Sequence, residues 1–112
     1  MLARSNRLTR GAEYKTAVRR GRRCSGKHTV TYVNRVETHG PARFGFIVSR
    51  QVGGAVVRNT VRRRLKALCY ESLDAVAPGS DIVIRALPSA ATASFADLRD
   101  DVTRCLGRKA VA

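Results

Sequence analysis

Acidic residues are scarce in this chain: 112 residues carry 8 Asp and Glu against 22 Lys and Arg, a formal net charge of +14. The shortage is uneven. Residues 1–70 hold 17 basic and 2 acidic side chains, and no acid at all stands between Glu37 and Glu71. Arg and Lys of that interval have no local acidic partner, and so high a net charge costs self-repulsion that a polyanion would offset. Nucleic acid is therefore the leading partner class. A basic surface that is merely solvated is the bland alternative.

Long apolar runs are missing as well. No stretch approaches the roughly 20 apolar residues that span a bilayer, and residues 1–23 lack the apolar core of a signal peptide, so a cytoplasmic location without a membrane partner is expected. Only three cysteines occur, Cys24, Cys69 and Cys105. An odd number with no export signal argues for reduced thiols rather than a disulfide framework. Cys24 and His28 are close enough for two zinc ligands, but Cys69, Cys105 and His39 are too scattered to supply the second pair, and no metal site is expected. With no repeat, low-complexity tract or Pro/Ser-rich linker, residues 1–112 are expected to form one domain around one core.

Catalytic motifs are absent too. Ser49, His28 and Asp81 belong to no recognised nucleophile arrangement, and most acids lie in the last third of the chain, away from the cations. There is no phosphate-binding Walker loop and no dinucleotide fingerprint. If this chain takes part in catalysis, the chemistry is elsewhere.

The elements that are present alternate. Residues 9–20 read as a short helix, with Thr9 as N-cap, Tyr14 and Val18 four apart on one face, and Gly21 ending it. His28 to Val36 is rich in Thr, Val and Tyr, and Phe44, Phe46 and Val48 alternate with Arg43, Gly45 and Ser49, so two strands are expected, joined by a turn over residues 38–41. After Gly53-Gly54 a long helix runs from Ala55 to about Ala75 and stops before Pro78-Gly79. Residues 81–86, with Ile82, Val83 and Ile84 together, read as a strand covered on both faces. In a final helix Ser94 is the cap, Leu98, Val102, Cys105 and Leu106 are the inward stripe, and Gly107 is the end. The order is αβββαβα or αββαβα, depending on whether a short strand forms near residues 22–25. Either suggests a mixed sheet with helices packed on it.

The long helix carries the chemistry. At about 100° per residue, Arg58, Asn59, Arg62, Arg63 and Lys66 fall within an arc of about 140°, while Val57, Val61, Leu65 and Leu68 take another side. Four cations and an amide near one-turn spacing suit successive phosphates, and the planar fork of Arg permits bidentate contacts. Gly53 and Gly54 leave backbone N–H groups accessible at the positive end of this helix, with Arg50 and Gln51 as further donors. Tyr14 and Tyr32 are the aromatics nearest the basic region in sequence. A base could stack on either ring, or either could belong to the core. Phe44, Phe46 and Phe95 are expected in the core.

Three segments taken together resemble the bacterial ribonuclease P protein family: Arg43-Phe44-Gly45-Phe46-Ile47-Val48-Ser49-Arg50, Gly53-Gly54-Ala55-Val56-Val57-Arg58-Asn59 and Arg62-Arg63-Arg64-Leu65-Lys66. Asn6-Arg7-Leu8 before a short helix resembles the family's N-terminus, and the likeness runs from about residue 6 to 106. The resemblance implies an α+β fold, an α/β sandwich of about four strands and three helices, αβββαβα, with a left-handed βαβ crossover through the long helix, an exception to the usual hand. It also implies a protein subunit, inactive alone, that assists a catalytic RNA in removing the 5′ leader of precursor tRNA. Its partners would be that RNA and the precursor, with no required protein partner. By position, Tyr14 and Tyr32 would line the leader cleft near Arg50, and Arg58, Asn59, Arg62, Arg63 and Lys66 would contact RNA. Mg²⁺ would be held mainly by RNA and substrate phosphates.

This chain departs from the family's pattern at three places. Thr60 stands where the family usually has Arg, so Arg63 or Arg64 would have to supply that cation. Val18 stands where a second aromatic is common, and Gln51 replaces a frequent Lys. A ribosomal or other structural RNA-binding protein would share the charge, size and lack of catalytic groups, and a nonspecific DNA-binding protein would share the charge.

Overall fold

The computed structural model describes residues 2–36 and 40–110. The elements are α1 (Gly11–Arg20), β1 (Arg22–Ser25), β2 (Thr29–Arg35), β3 (Arg43–Ile47), α2 (Ala55–Glu71), β4 (Ser80–Ala86) and α3 (Phe95–Ala110), with short 3₁₀ turns at Arg4–Asn6, Leu73–Ala75 and Pro88–Ala91. This is the αβββαβα order, and the question of residues 22–25 is answered by β1. The strands lie side by side as β1-β2-β4-β3. β2 is antiparallel to β1 and β4, whereas β3 and β4 run parallel, connected through α2. The result is an α+β fold with a mixed sheet.

Side-chain alternation along the strands sorts the sheet into two faces. On one face Val33, Phe44, Ile82 and Ile84 join Val61, Leu65 and Leu68 of α2 and Leu98, Val102 and Leu106 of α3. On the other, Val30, Tyr32 and Val83 meet Ala17 of α1 and Leu8, with Tyr14, Val18 and Ile47 at the margin. Ile82, Val83 and Ile84 are fully buried because β4 is an inner strand with helices on both sides. Each such side chain contributes about 1.5–3 kcal/mol by leaving water.

Several boundaries differ from the sequence reading for local reasons. Arg10, not Thr9, is the N-cap of α1, because the Glu13 carboxylate reaches back to accept the Arg10 N–H at 3.2 Å. The long helix ends at Glu71 instead of near residue 75; the Ser72 N–H is shared between the carbonyls of Leu68 and Cys69, and the chain tightens into the Leu73–Ala75 turn. α3 continues through Gly107, since a single exposed Gly costs only about 1 kcal/mol relative to Ala while the buried Cys105 and Leu106 hold the turn before it in place. Ser94 does cap α3, its hydroxyl accepting the Asp97 N–H at 3.0 Å. The turn expected over residues 38–41 includes Thr38 and His39, which lie outside the described residues.

The cysteines are the larger correction. Cys24 on β1 and Cys105 on α3 form a disulfide, with Cα atoms 5.7 Å apart, and only Cys69 is a free thiol among the described residues. Their 81-residue separation gave no hint of proximity. The pair meets because β1 is an edge strand whose inner face is covered by α3. Burial pushes the Cys69 thiol up, so it is inert packing.

Candidate nucleic-acid interface

Elementary helix geometry places the five residues of the α2 arc together, and the structure leaves Asn59 and Arg63 exposed with Arg58, Arg62 and Lys66 half-buried beside them. Val61, Leu65, Leu68 and Cys69 form the buried stripe. Val57, expected to join it, is 37% exposed, and Val56 beside it is 81% exposed. The first turn of α2 therefore projects beyond the core. Its entry is set by Gly53, whose φ of 157° is open only to glycine and whose Cβ, if present, would lie 3.0 Å from the Val57 side chain.

Among the described residues, Arg58, Arg62, Arg63 and Lys66 make no ion pair; the salt bridges there involve Arg43, Arg99 and Arg104 instead. Arg62 Nη1 donates to Asn59 Oδ1 at 3.0 Å and Arg63 Nη2 to Thr60 Oγ1 at 3.4 Å. These neutral contacts orient two guanidinium groups and leave their charge unspent. Arg58 lies at the border of the buried stripe, and its Nε is buried without a hydrogen-bond partner. A donor so placed costs free energy until an acceptor arrives. Of the two substitutes for the cation missing at Thr60, Arg64 is turned away, its Nη1 donating to the Ala93 carbonyl at the start of α3. Arg63 stays exposed on the outer face. Arg50 and Gln51 are exposed in the connection from β3 to α2.

On the opposite side of the sheet, α1 leaves an open groove of about 340 Å³ lined by Tyr14, Lys15, Val18, Arg19 and Ile47. Lys15, Val18, Arg19 and Ile47 were not anticipated as a group, because the α1 residues meet Ile47 only once the helix lies on the sheet. Tyr14 is one of its lining residues. Tyr32 does not line the groove: it is 7% exposed and packed beneath α1 with Leu8, Ala17, Val30 and Val83. The reason is its place on an inner strand, opposite Arg23 of β1 and Val83 of β4. Phe44 is fully buried as expected, while Phe46 and Phe95 are only partly so.

A larger cleft, about 730 Å³, lies between residues 25–28 and α3, but Asp97, Asp100 and Asp101 line it. Three carboxylates against Lys27 and Arg104 make it a poorer host for a phosphate backbone than the acid-free face of α2. Asp101 is occupied already, accepting the N–H groups of Lys27, His28 and Thr29 at 3.1, 2.7 and 3.1 Å and the Thr29 hydroxyl at 3.2 Å. Burial would raise its carboxyl, yet these donors outweigh burial and hold it below its ordinary value. Ser49, His28 and Asp81 are not brought together. The His28 ring meets Ser89 Oγ through Nδ1 at 2.8 Å, and Asp81 is paired with Arg43. Among the described residues no group of three or more His, Cys, Asp or Glu is placed to hold a metal ion, and no helix is long and apolar enough to cross a membrane.

The fold and this surface define a small basic α+β protein with, on one side of its sheet, a helix whose outer cations have no carboxylate partner among the described residues, and on the other an aromatic-edged groove. The family model described as Ribonuclease P matches residues 2–110, and the chain belongs to that family. It is 46% identical over 109 residues to the ribonuclease P protein component of Acidothermus cellulolyticus, covering 96% of this chain and 91% of that one. To the corresponding protein of Clavibacter michiganensis it is 45% identical, with 96% of each chain covered. Solved structures agree in fold. The RNase P protein of Thermotoga maritima superposes with a TM-score of 0.81 at 20% identity, covering 91% of this chain and 96% of that one. That of Staphylococcus aureus also gives 0.81, at 19% identity over 90% and 92%.

Proposed function

We propose that this chain is the protein subunit of a ribonuclease P ribonucleoprotein, holding the catalytic RNA through α2 and the 5′ leader of precursor tRNA in the groove beside α1. The observation that carries the reading is the absence, among the described residues, of any carboxylate partner for Arg58, Arg62, Arg63 and Lys66. Cations held outward on a rigid helix bind phosphates without first breaking internal ion pairs. Arg50 and Asn59 extend the same surface. Tyr14 offers a ring edge at the groove to an unpaired leader base, Lys15 and Arg19 offer charge to its phosphates, and Tyr32 supports the groove from below.

The protein supplies binding and orientation, and the hydrolytic chemistry belongs to the RNA. Mg²⁺ would be held mainly by phosphates of the RNA and the substrate, which are hard oxygen ligands of the kind that ion prefers. In a cleavage assay, purified protein alone is expected to leave precursor tRNA intact, and addition of ribonuclease P RNA to release the leader at the mature 5′ end. Robust cleavage by RNA-free protein would overturn this division of labour. Equal affinity for ribonuclease P RNA, ribosomal RNA and duplex DNA would point instead to a general polyanion binder.

A further inference from the structure

The groove depends on how α1 sits on the sheet, and one side chain joins the two. Arg43, on β3, donates through Nε and Nη2 to both carboxylate oxygens of Asp81 on β4, at 2.9 and 2.8 Å. Its remaining arm, Nη1, donates to Glu13 Oε2 on α1 at 2.6 Å. Asp81 is buried and Arg43 and Glu13 are partly so. The Asp81 bond, outweighing burial, raises the already basic Arg43 guanidinium. Burial of Glu13 is in turn outweighed by the bonds from Arg43 and the Arg10 N–H, which hold its carboxyl below the ordinary value. Arg43 thus spends its fork on a bidentate contact to the sheet and a third bond to the helix, a geometry a lysine cannot reproduce.

The next residue along α1 is Tyr14. Its ring lies over Gly45, two residues beyond Arg43 on the same face of β3, so closely that a Cβ on Gly45 would come within 2.5 Å of the ring. The Tyr14 hydroxyl meets the Phe46 N–H at 3.4 Å and the Leu8 carbonyl at 3.5 Å, both long contacts that position the ring weakly by themselves. The short Arg43–Glu13 bond one residue away adds a directional constraint to the packing of Ala17 against Val30, Tyr32 and Val83.

We infer that Arg43 and Glu13 are positioning residues for leader recognition, clamping α1 to the sheet so that the Tyr14 ring is presented at the mouth of the groove. The inference rests on the reading of the groove as the leader site. The clamp touches no RNA itself. It acts through Tyr14, and the charge it would otherwise offer to phosphate is consumed within the protein.

The test is a double-mutant cycle in the holoenzyme reconstituted with ribonuclease P RNA. Glu13→Ala should raise KM for precursors with several leader nucleotides by about five- to tenfold, part of the roughly 5- to 150-fold that a stacked base can contribute. It should leave kcat and the KM for one-nucleotide leaders unchanged, and Glu13→Gln, which keeps the accepting oxygen, should recover part of the loss. In a Tyr14→Ala background, Glu13→Ala should add nothing. Additive effects, or a loss equal for every leader length, would overturn the inference. A readout without RNA separates it from the groove reading: the NMR ring resonances of Tyr14 in the free protein should shift or broaden in Arg43→Lys, which keeps the Glu13 cap on the Arg10 N–H. Unchanged resonances would sink the clamp by themselves, whereas shifted resonances with no leader-length effect from Tyr14→Ala would sink the groove reading and leave the clamp as architecture only.

Discussion

Cys24 and Cys105 tie the edge strand β1 to α3, and Asp101, one helical turn before Cys105, accepts the N–H groups of the residues leading from β1 into β2. Two neighbouring positions on one helix thus secure the same hairpin, one covalently and one by charge-assisted hydrogen bonds.

Closure of so long a loop removes unfolded-state freedom, a term of about 4 kcal/mol in the chain-entropy account of disulfides. Reduction with dithiothreitol, or Cys24→Ser, is therefore expected to lower the Tm by roughly 15 °C and leave far-UV circular dichroism nearly unchanged. The disulfide is checked by alkylating unreduced protein and counting labelled cysteines by mass spectrometry after denaturation. One labelled residue, Cys69, is expected, and three would contradict the bond.

Asp101 makes stability depend on acidity. Its folded-state pKa lies below the ordinary value, as does that of Glu13, so each contributes stability that is fully present above the usual carboxylate range, about 3.9 to 4.3, and lost as pH falls through the lower folded-state value. Thermal unfolding followed from pH 6 to pH 2 should show a fall in Tm beginning in that range. Asp101→Asn should start from a lower Tm and show a shallower fall. An unchanged acid slope in that variant would mean that the fall arises elsewhere, from Glu13 and other carboxylates or from general charge repulsion.

The outward face of α2 makes a salt-dependence prediction. Arg58→Ala, Arg62→Ala and Lys66→Ala should each weaken assembly with ribonuclease P RNA and reduce the slope of log affinity against log salt by about 0.7 to 0.9 per lost phosphate contact. Arg64→Ala should change the slope less, because its guanidinium reaches toward the Ala93 carbonyl ahead of α3 and away from the outer arc. Equal slopes for the wild type and the triple variant, with folding intact, would show the α2 face to be only solvated.

The two tyrosines should separate. Tyr14→Ala is expected to weaken precursors with long leaders by about 5- to 150-fold and to spare mature tRNA, since stacking has no effect without a base. Tyr32→Ala should instead cost roughly 3–5 kcal/mol of stability, in the range of other large-to-small aromatic changes in a core. Denaturant unfolding beside a leader-length series decides between these outcomes. A leader-dependent loss for Tyr32→Ala at undiminished stability would return that ring to the groove.

What the sequence determined by itself was whatever repeats at short range. The 3.6-residue period of α2 fixed which side is buried at Val61, Leu65 and Leu68 and which presents Arg58, Arg62 and Lys66, and the apolar run Ile82–Ile84 announced a strand covered on both faces. The charge asymmetry and the motif around Arg43–Arg50 and Arg58–Lys66 sufficed for the family. Contacts between residues distant in the chain were decided only by tertiary structure. The Cys24–Cys105 bond needs α3 to lie across β1, the burial of Tyr32 needs β2 to become an inner strand, and the Arg43 clamp needs β3, β4 and α1 to converge. Periodicity records which face of an element is apolar, but it holds no record of which element covers that face.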